Sequence, residues 1–336
     1  MPKEFYIREE LTALHELPAR AADVLADDTI LPVCATCATQ YPGPRDDCEL
    51  ECWPLLNLGP VCEDPRQWVP GTGQAWTSLH QLVKGGRRNH LLRDVEDPRI
   101  SLIATEPFFA IGQTPIVLET AEGSVIWDCS AVITEPLVAH LVALKRPLKA
   151  IAISHPHFFC TSLTWARALG VPLYINELDR EWYARAGSLR EGEVVFWRGT
   201  HALTASITLV ECGGHFPGSS VLYWDRGGEP LLSEADARAP DSGLLLVADT
   251  IMVQPTQKGF TFMWSYPNAI PLHPTDVLHI QKVLAEYDYD SVTCSWPDRW
   301  VRAGAKRQMD ESVETYLSAT QWKRDSGGKL VPKGKA

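Results

Sequence analysis

Ala150-Ile-Ala-Ile-Ser-His155-Pro-His157 is the stretch on which the fold turns. A run of apolar and small residues with the character of a buried strand ends in two imidazoles two positions apart, and an extended backbone aims such residues to the same side. Side chains placed this way grip one metal ion, but two ordinary histidines at a strand end read the same. The rest of the chain has to decide.

Outward from this turn, short apolar and β-branched runs at 114–118, 124–128, 150–154, 208–212, 220–224 and 244–247 predict strands. Helical patterns lie between and after them, at 136–144, 162–169, 275–287 and 306–322, with Val277, Ile280, Leu284 and Tyr287 on one apolar face. Strands mixed with helices predict an α/β layered domain over 101–322. Residues 1–30 read as an N-terminal helical segment, because Tyr6, Leu11, Leu14, Leu17, Ala21, Val24 and Leu25 repeat at helical spacing. Residues 31–100 hold a cysteine-rich segment and a connector. The stretch 323–336, with its lysines and glycines, predicts a mobile basic tail.

The 336 residues are 45% apolar, enough to bury a core, and 42 acidic against 31 basic residues give a net charge of −11. That balance excludes a sequence-independent grip on a phosphate backbone, so nucleic acid is not an expected partner. Charges at Lys3, Glu4, Arg8 and Glu9 break any secretory apolar core, and no apolar run spans a bilayer, so a cytoplasmic protein without a membrane partner is expected. Nine cysteines, an odd number, then read as free thiols and metal ligands more readily than as a disulfide framework. Cys34-Ala-Thr-Cys37 has the spacing of a structural zinc knuckle. Cys62 would be a third ligand, and Cys48, in preference to Cys52, the fourth. Free thiols or a redox pair are the alternatives.

Three further segments decide the reading of the histidines. Ser124-Val-Ile-Trp-Asp128-Cys-Ser resembles the metallo-β-lactamase strand that ends in an Asp-Thr-Gly turn. Gly213-Gly-His215-Phe-Pro-Gly218-Ser-Ser resembles the family's Gly-His-x-x-Gly-Ser motif, and Leu246-Val-Ala-Asp249-Thr its Gly-Asp-Thr motif. They occur in the family's order. The resemblance implies a metallo-β-lactamase-type αββα sandwich, here carrying a small N-terminal zinc-ribbon-like segment, with His155, His157 and His215 as its first metal site and Asp249 as ligand or general base. Where the family's His-x-His-x-Asp-His signature continues, this chain has Phe159 and Cys160, and Cys294-Ser-Trp296-Pro-Asp298 lacks the late histidine, although Asp298 or Cys294 would be available as substitutes. The expectation is one catalytic metal, zinc with iron as the alternative, and one structural zinc.

Arg66-Gln-Trp-Val69 and His155-Pro-His-Phe158 resemble a subgroup of the family with a cysteine pair. The wider likeness is to fungal γ-lactamases that open benzoxazolinones. Phe158, Phe159, Phe216, Trp264, Tyr266 and Trp296 stand in or near the ligand turns and predict an apolar wall for a small aromatic substrate. No cluster of arginine or lysine is evident near the motifs. The expected function is a zinc-dependent hydrolase, with detoxification as its role, that opens an aromatic lactam, lactone or cyclic carbamate through metal-bound hydroxide, with His155, His157, His215 and Asp249 as its catalytic set. A mononuclear iron dioxygenase of the same fold and a non-catalytic binding protein are the rivals.

Overall fold

A computed structural model describes residues 5–12, 16–43, 60–67, 71, 74–229 and 240–333. Two large sheets carry the molecule. The first contains β1 (Tyr6–Glu10), β2 (Arg88–Asp94), β3 (Ile100–Glu106), β4 (Ile116–Thr120), β5 (Gly123–Trp127), β6 (Leu148–Ala152), β7 (Leu173–Asn176) and β8 (Val194–Trp197), hydrogen-bonded in that order. The second contains β9 (Thr200–Ala202), β10 (Ile207–Glu211), β11 (Ser220–Trp224), β12 (Leu244–Val247), β13 (Ser291–Cys294) and β14 (Trp300–Val301), again in order. Strands β1 to β5 pair antiparallel, whereas β5 to β8 pair parallel through the helical crossovers that such pairing needs.

Side-chain alternation explains the layers. In β5, Val125 and Trp127 face the second sheet, whereas Ile126 faces the opposite layer. In β12, Leu244 and Leu246 face the first sheet, whereas Leu245 and Val247 point outward. Both faces of each strand are therefore apolar, as strands covered on two sides must be. Helices α1 (Ala19–Asp28), α2 (Glu135–Val142) and α3 (Ser162–Leu169) cover the first sheet, and α4 (Pro274–Leu284) and α5 (Ala305–Ala319) cover the second. The result is the αββα sandwich expected.

Two expectations are corrected. The expected helix is present within 1–30 as α1, but Tyr6–Glu10 is β1, a strand of the first sheet paired with β2 from Tyr6 opposite Asp94 to Glu10 opposite His90. The sandwich consequently begins before residue 101. The stretch after 322 contributes a two-stranded ribbon, Trp322–Arg324 against Leu330–Pro332, where a tail without structure was expected. Among the described residues no helix is long and apolar enough to cross a membrane.

Candidate metal centre

The site is assembled at the ends of three strands. His155 and His157 follow β6, His215 follows β10, and Asp249 follows β12. Their ligand atoms all lie within 4.8 Å of one another, and all four residues are buried. His157 Nδ1 stands 3.2 Å from His215 Nε2. Asp249 Oδ2 lies 3.6 Å from His155 Nε2, 3.6 Å from His215 Nε2 and 3.9 Å from His157 Nδ1. Four ligands at tetrahedral bonds of about 2.0–2.1 Å are separated by roughly 3.4 Å. The observed spacings fit one ion.

The shell behind the ligands fixes their orientation. His155 Nδ1 meets Ser154 Oγ at 2.8 Å, and His215 Nδ1 meets the Met263 carbonyl at 3.0 Å, so each ring turns its Nε2 inward. His155 Nε2, which faces the shared point, is buried without a hydrogen bond, and Asp249 Oδ1 and His157 Nε2, on the far sides of their groups, are also unpaired. Orphaned polar atoms of this kind call for a ligand or an ion. The main-chain N–H of Ser154 donates to Asp128 Oδ1 at 2.7 Å. Asp128 itself sits at φ +65°, so the Asp128 turn after β5 pins the histidine turn after β6.

Glycine makes the third turn possible. Gly214 has φ +89°, and a Cβ there would stand 2.7 Å from Thr250 Oγ1 and 3.0 Å from Leu272 Cδ1. Thr250 uses that space to donate to the Gly213 carbonyl, at 2.6 Å, and to accept from the His215 N–H. Beyond the turn, the Gly218 N–H donates to Asp179 Oδ1 at 2.8 Å, and a side chain at Gly218 would collide with Asn176 and Asp179.

Electrostatics favour a metal-ready state. Burial pushes the His157 and His215 imidazoles below their usual range, so both are neutral and hold a free lone pair. Burial would raise the Asp249 carboxyl, but His155, His157 and His215 outweigh it and keep the carboxyl well below its usual range. Burial also pushes Asp128 up to about 6 and Asp179 up to about 7.

Among the described residues no second metal position forms beside the first. Phe159 packs edge-on against Tyr183, and Cys160 Sγ accepts from Gln113 Nε2 at 3.0 Å. Cys294 lies against Met252 and the Arg299 carbonyl, whereas Asp298 pairs with Arg299. Neither substitute reaches the cluster.

A cavity of about 310 Å³ opens onto the ligands and is bounded by Ile111, Met252, Tyr266, Pro267, Trp296 and the side chains of Arg66, Gln67 and Arg299. Tyr266 and Trp296 thus stand where the aromatic wall was expected. Phe158, Phe159, Phe216 and Trp264 do not line it. Phe158 and Phe216 pack behind the imidazoles, with ring centroids 4.5 Å from His155 and 4.8 Å from His157, respectively. No cluster of arginine or lysine was evident near the motifs; two arginines from other segments line the cavity, and both guanidinium groups are engaged. Arg66 pairs with Asp64, and Arg299 donates to the Val253 carbonyl and pairs with Asp298. A larger cavity, about 880 Å³, lies between α1 and α2 and contains none of the candidate residues.

Cys34, Cys37 and Cys62 form a second, separate cluster in which all three thiols are buried. Cys37 Sγ and Cys62 Sγ are 3.5 Å apart, close to the roughly 3.8 Å set by zinc–sulfur bonds of about 2.3 Å. The neighbouring thiols and the Thr36 amide hold the Cys34 thiol below its usual range. Cys48 and Cys52, the candidate fourth ligands, lie outside the described residues, as do Trp68 and Val69. The seven described cysteines are all free and buried.

Sandwich and ligand set together define an αββα domain with a buried candidate metal site, the arrangement that the metallo-β-lactamase resemblance implies. The chain is 32% identical over 288 residues to the uncharacterized protein YmaE of Bacillus subtilis strain 168, covering 85% of this chain and 96% of that one, and it belongs to the family of that protein. No family model matches the chain. Similar solved structures include a metallo-beta-lactamase from Pontibacter korlensis, at 18% identity, 68% of this chain, 93% of that chain and a TM-score of 0.41. They also include the metallo-beta-lactamase FIM-1 of Pseudomonas aeruginosa in its mono-zinc form, at 12% identity, 66% of this chain, 92% of that chain and a TM-score of 0.45. Both superpose loosely, so the fold reading stands on the strand order and the core faces.

Proposed function

We propose that this chain is a zinc-dependent hydrolase that opens a small ring-fused aromatic lactam, lactone or cyclic carbamate, with benzoxazolinone as the specific candidate and detoxification as the role. The observation that carries the reading is the cavity lined by His157, His215 and Asp249, which would bring a substrate carbonyl beside the buried ligand set. At about 310 Å³ it sits at the small end of ligand pockets, suited to a bicycle and tight for anything larger. Trp296 and Tyr266 offer ring faces, and the compensated guanidinium groups leave little demand for an anionic substrate.

A zinc ion held by three imidazoles with an open position supplies a water that ionises near neutral pH. Asp249 would either complete that ligand set or, as an ionised carboxylate, accept a hydrogen bond from the water and orient it. Tyr266 and Trp296 fix the plane of the substrate, and the buried walls exclude bulk solvent. A second zinc is proposed for Cys34, Cys37, Cys62 and Cys48, where it would staple a segment with little core of its own. The carboxylate among the imidazoles also suits ferrous iron, which supports the dioxygenase reading as the alternative.

Metal analysis of protein purified without added metal, paired with assays on benzoxazolinone, an aryl lactone, a penicillin and a glutathione thioester, tests the proposal. Expected are two zincs per chain and turnover of the small bicyclic substrates that disappears when chelation empties the histidine site. Iron in that site, or turnover confined to the thioester, would overturn it.

A further inference from the structure

We propose that Arg66 is a positioning residue for the imidazole metal site: its guanidinium clamps the His215 turn from behind and sets the direction of the His215 ring. The inference rests on the metal-site reading above and concerns a residue that touches no ligand atom.

Arg66 spends every face of its side chain on this task. Nε donates to Asp64 Oδ1 at 2.7 Å and Nη2 to Asp64 Oδ2 at 2.5 Å, a bidentate pair. Nη1 reaches across 149 residues of sequence to donate to the His215 carbonyl at 2.6 Å. The guanidinium carbon lies 3.6 Å from the centroid of Phe216, so the plane is stacked on the residue that follows the ligand. Phe216 in turn packs edge-on against His157. One cation therefore touches the main chain of one ligand and a ring that buttresses another.

The clamp is itself held. Ser265 Oγ donates to the Arg66 carbonyl at 3.0 Å, and Asn268 Nδ2 donates to that of Pro65 at 3.0 Å. These partners follow Met263, whose carbonyl meets His215 Nδ1. On its other side the segment continues directly from Cys62 of the thiol cluster. A buried ion pair is poor value for stability alone, because desolvation offsets its attraction. Its placement behind a ligand turn gives it a reason to be there, since the groups behind a metal ligand set that ligand's orientation and affinity.

Cobalt(II) is the probe, since its visible bands report ligand geometry and its thiolate charge-transfer bands report the cysteine cluster separately. The double variant Asp64→Leu/Arg66→Met removes both charges and leaves none stranded. It is expected to weaken cobalt binding at the imidazole site by about 10–100-fold and to alter the visible bands, leaving the charge-transfer bands as in the wild type. Arg66→Lys keeps the charge but loses the fork, so it is expected to fail to restore either property. Wild-type affinity and bands at the imidazole site in the folded double variant would overturn the inference. Should that variant not fold, wild-type cobalt binding by Arg66→Lys would overturn it equally. Failure of the wild-type protein to bind cobalt at the imidazoles would instead bring down the metal-site reading itself.

Discussion

His157 presents Nδ1 and His215 presents Nε2 to the same point, and the two nitrogens face each other across 3.2 Å. The rings thus approach from different depths, one through the nitrogen nearer its backbone and one through the farther. Amide side chains can imitate these positions separately, asparagine matching Nδ1 and glutamine matching Nε2. His157→Asn is expected to retain more metal than His157→Gln, and His215→Gln more than His215→Asn. Isothermal titration of the four variants with zinc checks the order, and equal losses at each position would refute the ligand assignment.

Asp249 Oδ2 contacts all three imidazoles, whereas Oδ1 is buried without a partner. Asp249→Asn keeps the shape but removes the charge that holds ion and water. Hydrolysis of an opened substrate is expected to fall by about 10–100-fold or more, by the scale of changes close to a metal. Steady-state rates at saturating zinc measure it, and unchanged rates would remove Asp249 from the mechanism.

Cys37 is buried at the centre of the thiol cluster, donating to Thr39 Oγ1 at 3.2 Å and facing Cys62. Cys37→Ser shortens a ligand and weakens a site that closes the segment, so a lower melting temperature and lower solubility are expected. Soluble protein given excess zinc should keep its turnover. Full thermal stability with selective loss of activity would place that metal in the chemistry.

Asp179 has its carboxyl raised by burial from an ordinary 3.8 to about 7, with the Gly218 N–H acting against that rise. Between those values the folded chain binds more protons than the unfolded chain, so this group's contribution to stability is full below about 3.8 and lost as pH rises through about 7. Asp179→Asn keeps an acceptor for the Gly218 N–H and cannot ionise. The variant is expected to gain on the wild type as pH rises from 4 to 8, by on the order of a few kcal/mol at most. Denaturant midpoints across that range give the answer, and parallel pH curves would contradict it.

Much of this was legible in the sequence because the relevant residues lie at strand ends. A strand such as β12, with apolar side chains on both faces, announces a covered layer, and the residue after it is placed by the register. His155, His157, His215 and Asp249 therefore fell together as expected. β1 was not legible, because Arg8, Glu9 and Glu10 hide the alternation, and what secures it is a cross-strand pair, Glu9 with Arg93, over a long sequence separation. Nor could a ring's destination be read from its neighbours in sequence. Phe216 follows a ligand but turns away from the cavity, whereas Arg66 and Arg299 reach it from remote segments. Arg66 was visible as part of a signature, with nothing in that signature to show which carbonyl it would find.

The same first strand carries a cost for anyone trimming the chain. β1 covers most of one flank of β2, Tyr6 to Glu10 against His90 to Asp94, and its charged side chains discourage further partners. Deleting the first ten residues would bare a row of unpaired main-chain donors and acceptors along β2. That flank is a template for another copy, so shortened protein should self-associate edge to edge through β2 before it loses its metal ligands.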